Sequence, residues 1–138
     1  MSMKDVSPTH KARVKQELIM AGMSGIALKR MEARHLPGVI NENEHIKAAI
    51  YGLSDNFSAM IVATDRRIIY SERKPFYKML DEVAYDMISG VRYNLRGPRA
   101  NVILHTRIKD YSLRYVSKRT AEQFVKYIES VRLKQTDV

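Results

Sequence analysis

Apolar positions change their period along this chain, and the change divides it. Val14, Leu18 and Ala21 recur at spacings of four and three, and Gly25 follows four residues later. Lys11, Arg13, Lys15 and Glu17 fall off that line, so the pattern is a helix with one dry face. Ser7-Pro8 supplies its start: an N-cap hydroxyl, then a proline at the first helical position, where a missing N–H costs nothing. Gly22 and Gly25 interrupt the helix, and Ser24 or Gly25 opens a second one carrying Ile26, Ala27 and Met31. His35-Leu36-Pro37-Gly38 ends helical structure, because Pro37 pushes Leu36 out of the α region and Gly38 suits a cap. Residues 1–45 read as a helical arm of one or two helices. Its Met20, Met23 and Met31 read as core, with a soft partner-binding surface as the functional alternative.

From residue 46 the period is two. Strands are predicted over 46–53, 57–63, 67–72, 78–86, 88–95, 101–106 and 111–116, at intervals of about ten residues with short connections. Met79, Leu80 and Glu82 in the fourth of these would also suit a helix. In the fifth, Val91, Tyr93 and Leu95 share one face while Arg92, Asn94 and Arg96 share the other. Thr64-Asp65-Arg66 is a hairpin turn in which the aspartate can bond its own backbone. Gly97-Pro98 marks another turn. Ala121, Phe124, Val125, Ile128 and Val131 then return to the helical period, with Lys126, Glu129 and Arg132 outside the stripe. Ser117 or Thr120 caps this helix, and Thr120-Ala121-Glu122-Gln123 has the capping-box spacing. The expected fold is mainly β with helices: a seven-stranded curved antiparallel sheet, or partly open barrel, capped by a C-terminal amphipathic helix. The arm is 1–45, the sheet domain 46–134, and 135–138 a tail.

The order Gly38-Val39-Ile40, Glu44-His45-Ile46, Thr64-Asp65-Arg66-Arg67-Ile68-Ile69-Tyr70 and Tyr85 with Ile88-Ser89-Gly90-Val91 resembles the bacterial pleckstrin-homology-like (PH-like) domains of the YokE type. In that family an acidic residue before a strand leads to a T-D-x-R hairpin, an I-x-x-V strand and a helix with an F-x-x-x-I pattern, here Phe124 and Ile128. The resemblance covers residues 38–132 and leaves the arm outside. It implies a PH-like fold and a non-enzymatic binding or assembly role, without naming a ligand.

Composition narrows the chemistry. The chain has 138 residues, 45% of them apolar, enough for one domain with a core. It has no cysteine, which removes disulfides, thiolate metal sites and Cys nucleophiles. The longest mostly apolar stretch is 18–28, short of the ~20 residues a membrane span needs. Residues 1–10 have no apolar core of a secretory signal, so a soluble cytoplasmic protein is expected. His10, His35, His45 and His105 are scattered, with no HExxH pair, GxSxG, GxGxxG or Walker A pattern. Asp81 and Glu82 point to opposite faces of a strand and cannot act jointly as acid and base. Neither an enzyme, a metal nor a cofactor is expected, and no small-molecule substrate is indicated.

Charge is the informative departure. The net charge is +9, and residues 92–119 hold Arg92, Arg96, Arg99, Arg107, Lys109, Arg114, Lys118 and Arg119 against the single acid Asp110, a net +7. If the strands pair as hairpins, Arg92, Arg96 and Arg99 gather at one end of the sheet, where arginine suits bidentate contact with anions. The plainer reading is a solvated sheet face, whose outward positions must be polar and whose cations oppose edge-to-edge aggregation. Tyr93, Tyr111 and Tyr115 interleave with these cations, as in some single-strand binders, although alternation assigns Tyr93 to the core. In lipid-binding PH domains the cations surround the loop between the first two strands. Here 52–57 has neither Lys nor Arg, and Lys47, Arg66 and Arg67 do not restore the motif. The chain also has no tryptophan for the final helix. A specific inositol-phosphate pocket is not expected. Three functions remain: a protein-binding module, with a second copy of itself as one partner; peripheral attachment to an anionic membrane; and sequence-independent nucleic-acid binding.

Overall fold

The computed structural model describes residues 6–28, 35–74 and 77–136. Seven antiparallel strands, β1 (Ile46–Ser54), β2 (Phe57–Thr64), β3 (Ile68–Lys74), β4 (Tyr77–Val83), β5 (Ile88–Arg96), β6 (Arg99–Thr106) and β7 (Asp110–Ser117), form one curved sheet. Their spatial order is β4-β3-β2-β1-β7-β6-β5, so β4 and β5 are its edges and the barrel is not closed. The sheet has two tightly paired halves. They meet at a seam where β1 and β7 share one paired position, Leu53 with Arg114.

Helix α3 (Lys118–Thr136) plugs the open mouth. Phe124 and Ile128 on its apolar stripe have no exposed surface and meet Ile50, Ile61, Val102, Leu104 and Leu113 from both halves. Each such side chain contributes roughly 2 kcal/mol through burial. The helix starts one residue after Ser117, whose Oγ accepts the Thr120 N–H at 3.3 Å. Ser117 is thus the cap. Thr120 sits at the third helical position with its hydroxyl 2.7 Å from Ser117 Oγ, so a capping box opening at Thr120 does not form.

The arm lies on the sheet of its own chain. Helix α1 (Pro8–Met20) starts at Ser7, whose hydroxyl accepts the His10 N–H at 3.1 Å. Its buried Val14 and Leu18 pack on Ala49, Met60, Val62 and Ile69, the outer face of β1, β2 and β3. These central strands are therefore covered on both sides, which is why 59–63 (AMIVA) is continuously apolar rather than alternating. The helix ends in a Schellman motif: Met23 N–H bonds Leu18 C=O at 3.0 Å, Gly22 N–H bonds Ile19 C=O at 2.9 Å, and Gly22 has φ 99°. Gly25 consequently falls outside the stripe, at the start of the four-residue α2 (Gly25–Leu28). Met23 is buried and Met20 is 75% exposed. Met31 and the side chains of Ile26 and Ala27 lie outside the described residues. The fourth strand stops at Val83, because a 3-10 turn over Tyr85–Met87 carries the Tyr85 ring into the core.

Candidate functional site

The register of the second half-sheet places seven of the eight cations in two groups, with Arg92 between them. Arg96 pairs with Arg99, and Arg99 with Ser117, at the end of the sheet where α3 begins. The Lys118 N–H donates to Pro98 C=O at 3.2 Å, so Lys118 and Arg119 adjoin the same turn. Arg107 and Lys109 occupy the β6–β7 turn, a strand length away, or roughly 25 Å at about 3.3 Å per residue. Lys109 is 3.3 Å from Asp81 and 4.8 Å over the Tyr111 ring. Arg92 stands between the groups. Its Nε donates to His105 Nε2 at 3.1 Å, and His105 Nδ1 is 2.9 Å from Asp110, so Arg92 belongs to a chain of its own rather than with Arg96 and Arg99.

Arg114 takes that place. Arg96, Arg99, Asn101, Arg114 and Tyr115 line one hollow of about 380 Å³. A second hollow of about 410 Å³ adjoins it and shares Arg99 and Tyr115. Its walls are Met23 and Ser24 from the arm, Tyr51, Gly52 and Leu53 from β1, and Thr120 from α3. Among the described residues no carboxylate pairs with Arg96, Arg99, Arg114, Lys118 or Arg119.

Two backbone features make this groove. A Cβ on Gly52 would lie 2.3 Å from the Arg114 carbonyl oxygen, so only glycine lets β1 approach β7 this closely. Immediately beyond, β7 bulges: its pairing with β6 slips between Ala100 and Val102, and Tyr115 has φ 61°. The extra residue breaks alternation, so Arg114 and Tyr115 both face solvent, with the guanidinium 5.8 Å from the ring. Arg114 also donates to the Asp55 carbonyl in the β1–β2 turn. Tyr115 is 59% exposed. The other tyrosines of the basic stretch are not free platforms. Tyr93 packs against the core. Tyr111 lies 4.8 Å from Tyr70 and donates to Asp81 at 2.8 Å; burial, then the Asp81 carboxylate, push its pKa up to about 12.

The residues of the T-D-x-R element are structural. Thr64 Oγ1 accepts the N–H groups of Arg66 and Arg67, both at 3.0 Å, and closes the turn. Asp65 does not bond its own turn; its carboxylate accepts the His45 N–H at 2.9 Å from the preceding loop. Arg67 meets the buried Glu44, which also accepts from Thr64 Oγ1 at 2.7 Å and Asn41 N–H at 3.1 Å. Burial alone would raise the Glu44 pKa, but Arg67, Thr64 and the Asn41 N–H outweigh it and hold it at about 2. Asp81 and Glu82 diverge as alternation requires, Asp81 toward Tyr111 and Glu82 to Arg67 at 3.1 Å. Three of the histidines serve packing and ion contacts: His10 Nε2 lies between the Pro37 and Ile40 carbonyls, His45 binds Glu17, and His105 binds Asp110. Among the described residues no three His, Asp or Glu side chains cluster as metal ligands.

The bacterial PH domain family matches residues 40–130. No curated protein matches the chain. Among solved structures, a DUF1696 family protein with a pleckstrin-homology domain from Shewanella loihica PV-4 is similar at 20% identity and a TM-score of 0.44, over 71% of this chain and 90% of that one. The family match takes in every strand, the T-D-x-R element and the Phe124–Ile128 face of α3, and on it the chain belongs to the bacterial PH domain family.

Proposed function

We propose that this domain is a non-enzymatic protein-binding module whose partner occupies the groove at the β1–β7 seam. PH-like families are generally binding modules. The observation that carries the reading is the pair of adjoining hollows that share Arg99 and Tyr115, one lined by Met23, Tyr51 and Leu53 and the other by Arg96 and Arg114. Such paired hollows fit a polypeptide segment, whose successive side chains can occupy both. A bilayer or a nucleic-acid backbone is better met by one continuous basic face, whereas here Arg107 and Lys109 lie at the turn opposite the other five cations and Arg92 is held between them on His105. Among the described residues no helix is long and apolar enough to cross a membrane. A second copy of the chain is one candidate partner, and a solution mass above 16.0 kDa would reveal it.

The test is selection from a random-peptide phage library, with the enriched peptides then titrated into isotope-labelled protein. Amide shifts at Met23, Leu53, Arg99 and Tyr115 are expected. Failure to enrich any peptide, together with co-sedimentation on phosphatidylserine vesicles at near-physiological salt, would overturn the reading in favour of membrane attachment.

A further inference from the structure

Resting on that reading, we infer that the groove's occupant is an extended acidic segment of a partner protein, which seats a carboxylate among Arg96, Arg99 and Arg114 and an apolar side chain in the neighbouring hollow. Three observations point there. The first is charge complementarity. Three arginines line one hollow with Asn101, Arg114 while donating to the Asp55 carbonyl, and none pairs with a carboxylate among the described residues. Arginine forks favour planar oxyanions, which they bind through two parallel N–H bonds.

The second is the composition of the adjoining hollow. Tyr51, Leu53 and Tyr115, with the edge of the buried Met23, offer apolar and aromatic surface, which a bare anion would leave unused. The two hollows share Arg99 and Tyr115, so a ligand with an anionic group beside an apolar one spans both. In an extended chain, side chains at i and i+2 fall on one side, about 7 Å apart. The third is Tyr115 itself. A tyrosine at φ 61° occupies a backbone region that favours glycine, and here the strained turn places an exposed ring between the two hollows. Residues held in that way cluster at ligand sites.

The test uses labelled full-length protein and four acetylated, amidated heptapeptides with Gly-Ser flanks. Their cores are Glu-Ser-Leu, Gln-Ser-Leu, Glu-Ser-Ser and Lys-Ser-Leu, titrated to millimolar concentration at low and near-physiological salt. The Glu-Ser-Leu peptide is expected to bind most tightly. Replacing its Glu by Gln should weaken binding roughly tenfold, the usual scale for losing a charged hydrogen-bonded partner. Arg99→Ala and Arg96→Ala should abolish the preference for Glu over Gln. Tyr115→Gly, which relaxes the backbone and removes the ring, should weaken the Leu-bearing peptides without unfolding the domain. Equal shifts from the Glu and Gln peptides would overturn the acidic-segment inference and leave a neutral protein-binding groove. If no peptide moves a groove resonance, while a single-stranded oligonucleotide or phosphatidylserine vesicles bind through Arg96 and Arg99, both readings fail.

Discussion

The Glu44 carboxylate and the Arg67 guanidinium meet as a two-pronged pair, Nε to Oε2 and Nη2 to Oε1 both at 2.8 Å, and Glu44 has no exposed surface. Arg67 reaches further, to Val39 C=O at 2.9 Å and Glu82 at 3.1 Å. One side chain thus joins the loop before β1, the β2–β3 turn and β4. Removing one member of a buried pair costs about 3–5 kcal/mol, because it strands the other. Glu44→Ala is expected at the lower end, since Glu82 still faces Arg67. Urea denaturation at neutral pH measures it, and a loss below ~1 kcal/mol would refute the role.

Acid should act through the same carboxylate. The Glu44 pKa is held at about 2 against an ordinary 4.5, so its stabilisation is complete above pH ~4.5 and lost as pH falls toward 2. A shift of that size corresponds to about 3 kcal/mol. Glu17 adds in the same direction: burial raises its pKa, but His45, the Ile46 N–H and Arg13 hold it below the usual value. Thermal melts across this range should show a steep fall for the native chain and a shallower one for Glu44→Gln. A melting temperature unchanged down to pH ~3 would contradict the assignment.

Gly52→Ala should open the seam. Its methyl carbon would stand 2.3 Å from a backbone oxygen of β7, which cannot rotate away as a side chain could. Overpacking of this kind costs typically 1–3 kcal/mol. The matching observation is a lower denaturation midpoint together with changed amide shifts at Leu53 and Arg114. A neutral substitution would mean that the two strands part freely.

Tyr115→Gly should move stability the other way. The left-handed conformation costs a side-chain-bearing residue about 1–2 kcal/mol, which glycine avoids, and glycine's extra unfolded-state entropy cancels part of that gain. A net stabilisation of about 0.5–1 kcal/mol is expected from a largely exposed ring. Destabilisation would show that the tyrosine ring has a packing role instead.

Arg13 is the clasp of the arm. It donates to the backbone carbonyls of Asn41, Glu42 and Glu44 at 3.1, 3.1 and 2.8 Å, while Glu17 accepts the first N–H of β1 at 2.9 Å. Arg13→Ala should weaken the docking of α1 by about 1–3 kcal/mol. Hydrogen exchange is expected to speed up at Val14 and Leu18 and to stay unchanged at Leu104 and Leu113 on the opposite half. Uniform acceleration would mean that arm and sheet unfold together.

The hairpins and the capping helix were legible because alternation and helical period report directly on burial, and the family through the resemblance carried by its T-D-x-R and F-x-x-x-I elements. Residues 59–63 broke the alternation for a reason the chain alone does not display: the arm folds back over them. The Thr64-Asp65 pair was recognisable as a turn, yet the two side chains exchange the roles that local chemistry suggests, because the His45 N–H arrives from outside the hairpin. Arg114 could be counted among the cations but not placed with Arg96 and Arg99. Its neighbourhood depends on a one-residue slip in β7 at a tyrosine, with no glycine to mark it.

Met23 and Ser24 belong to the arm, yet they wall the groove. Whatever lifts α1 also removes that wall. If the groove binds a partner as proposed, occupancy and docking would be linked, and linkage is reciprocal. A ligand touching Met23 would tighten the arm on the sheet by the same factor by which the docked arm tightened the ligand. On the proposed reading, α1 would be a thermodynamic partner of the groove, and ligand affinity would depend on how firmly that helix docks.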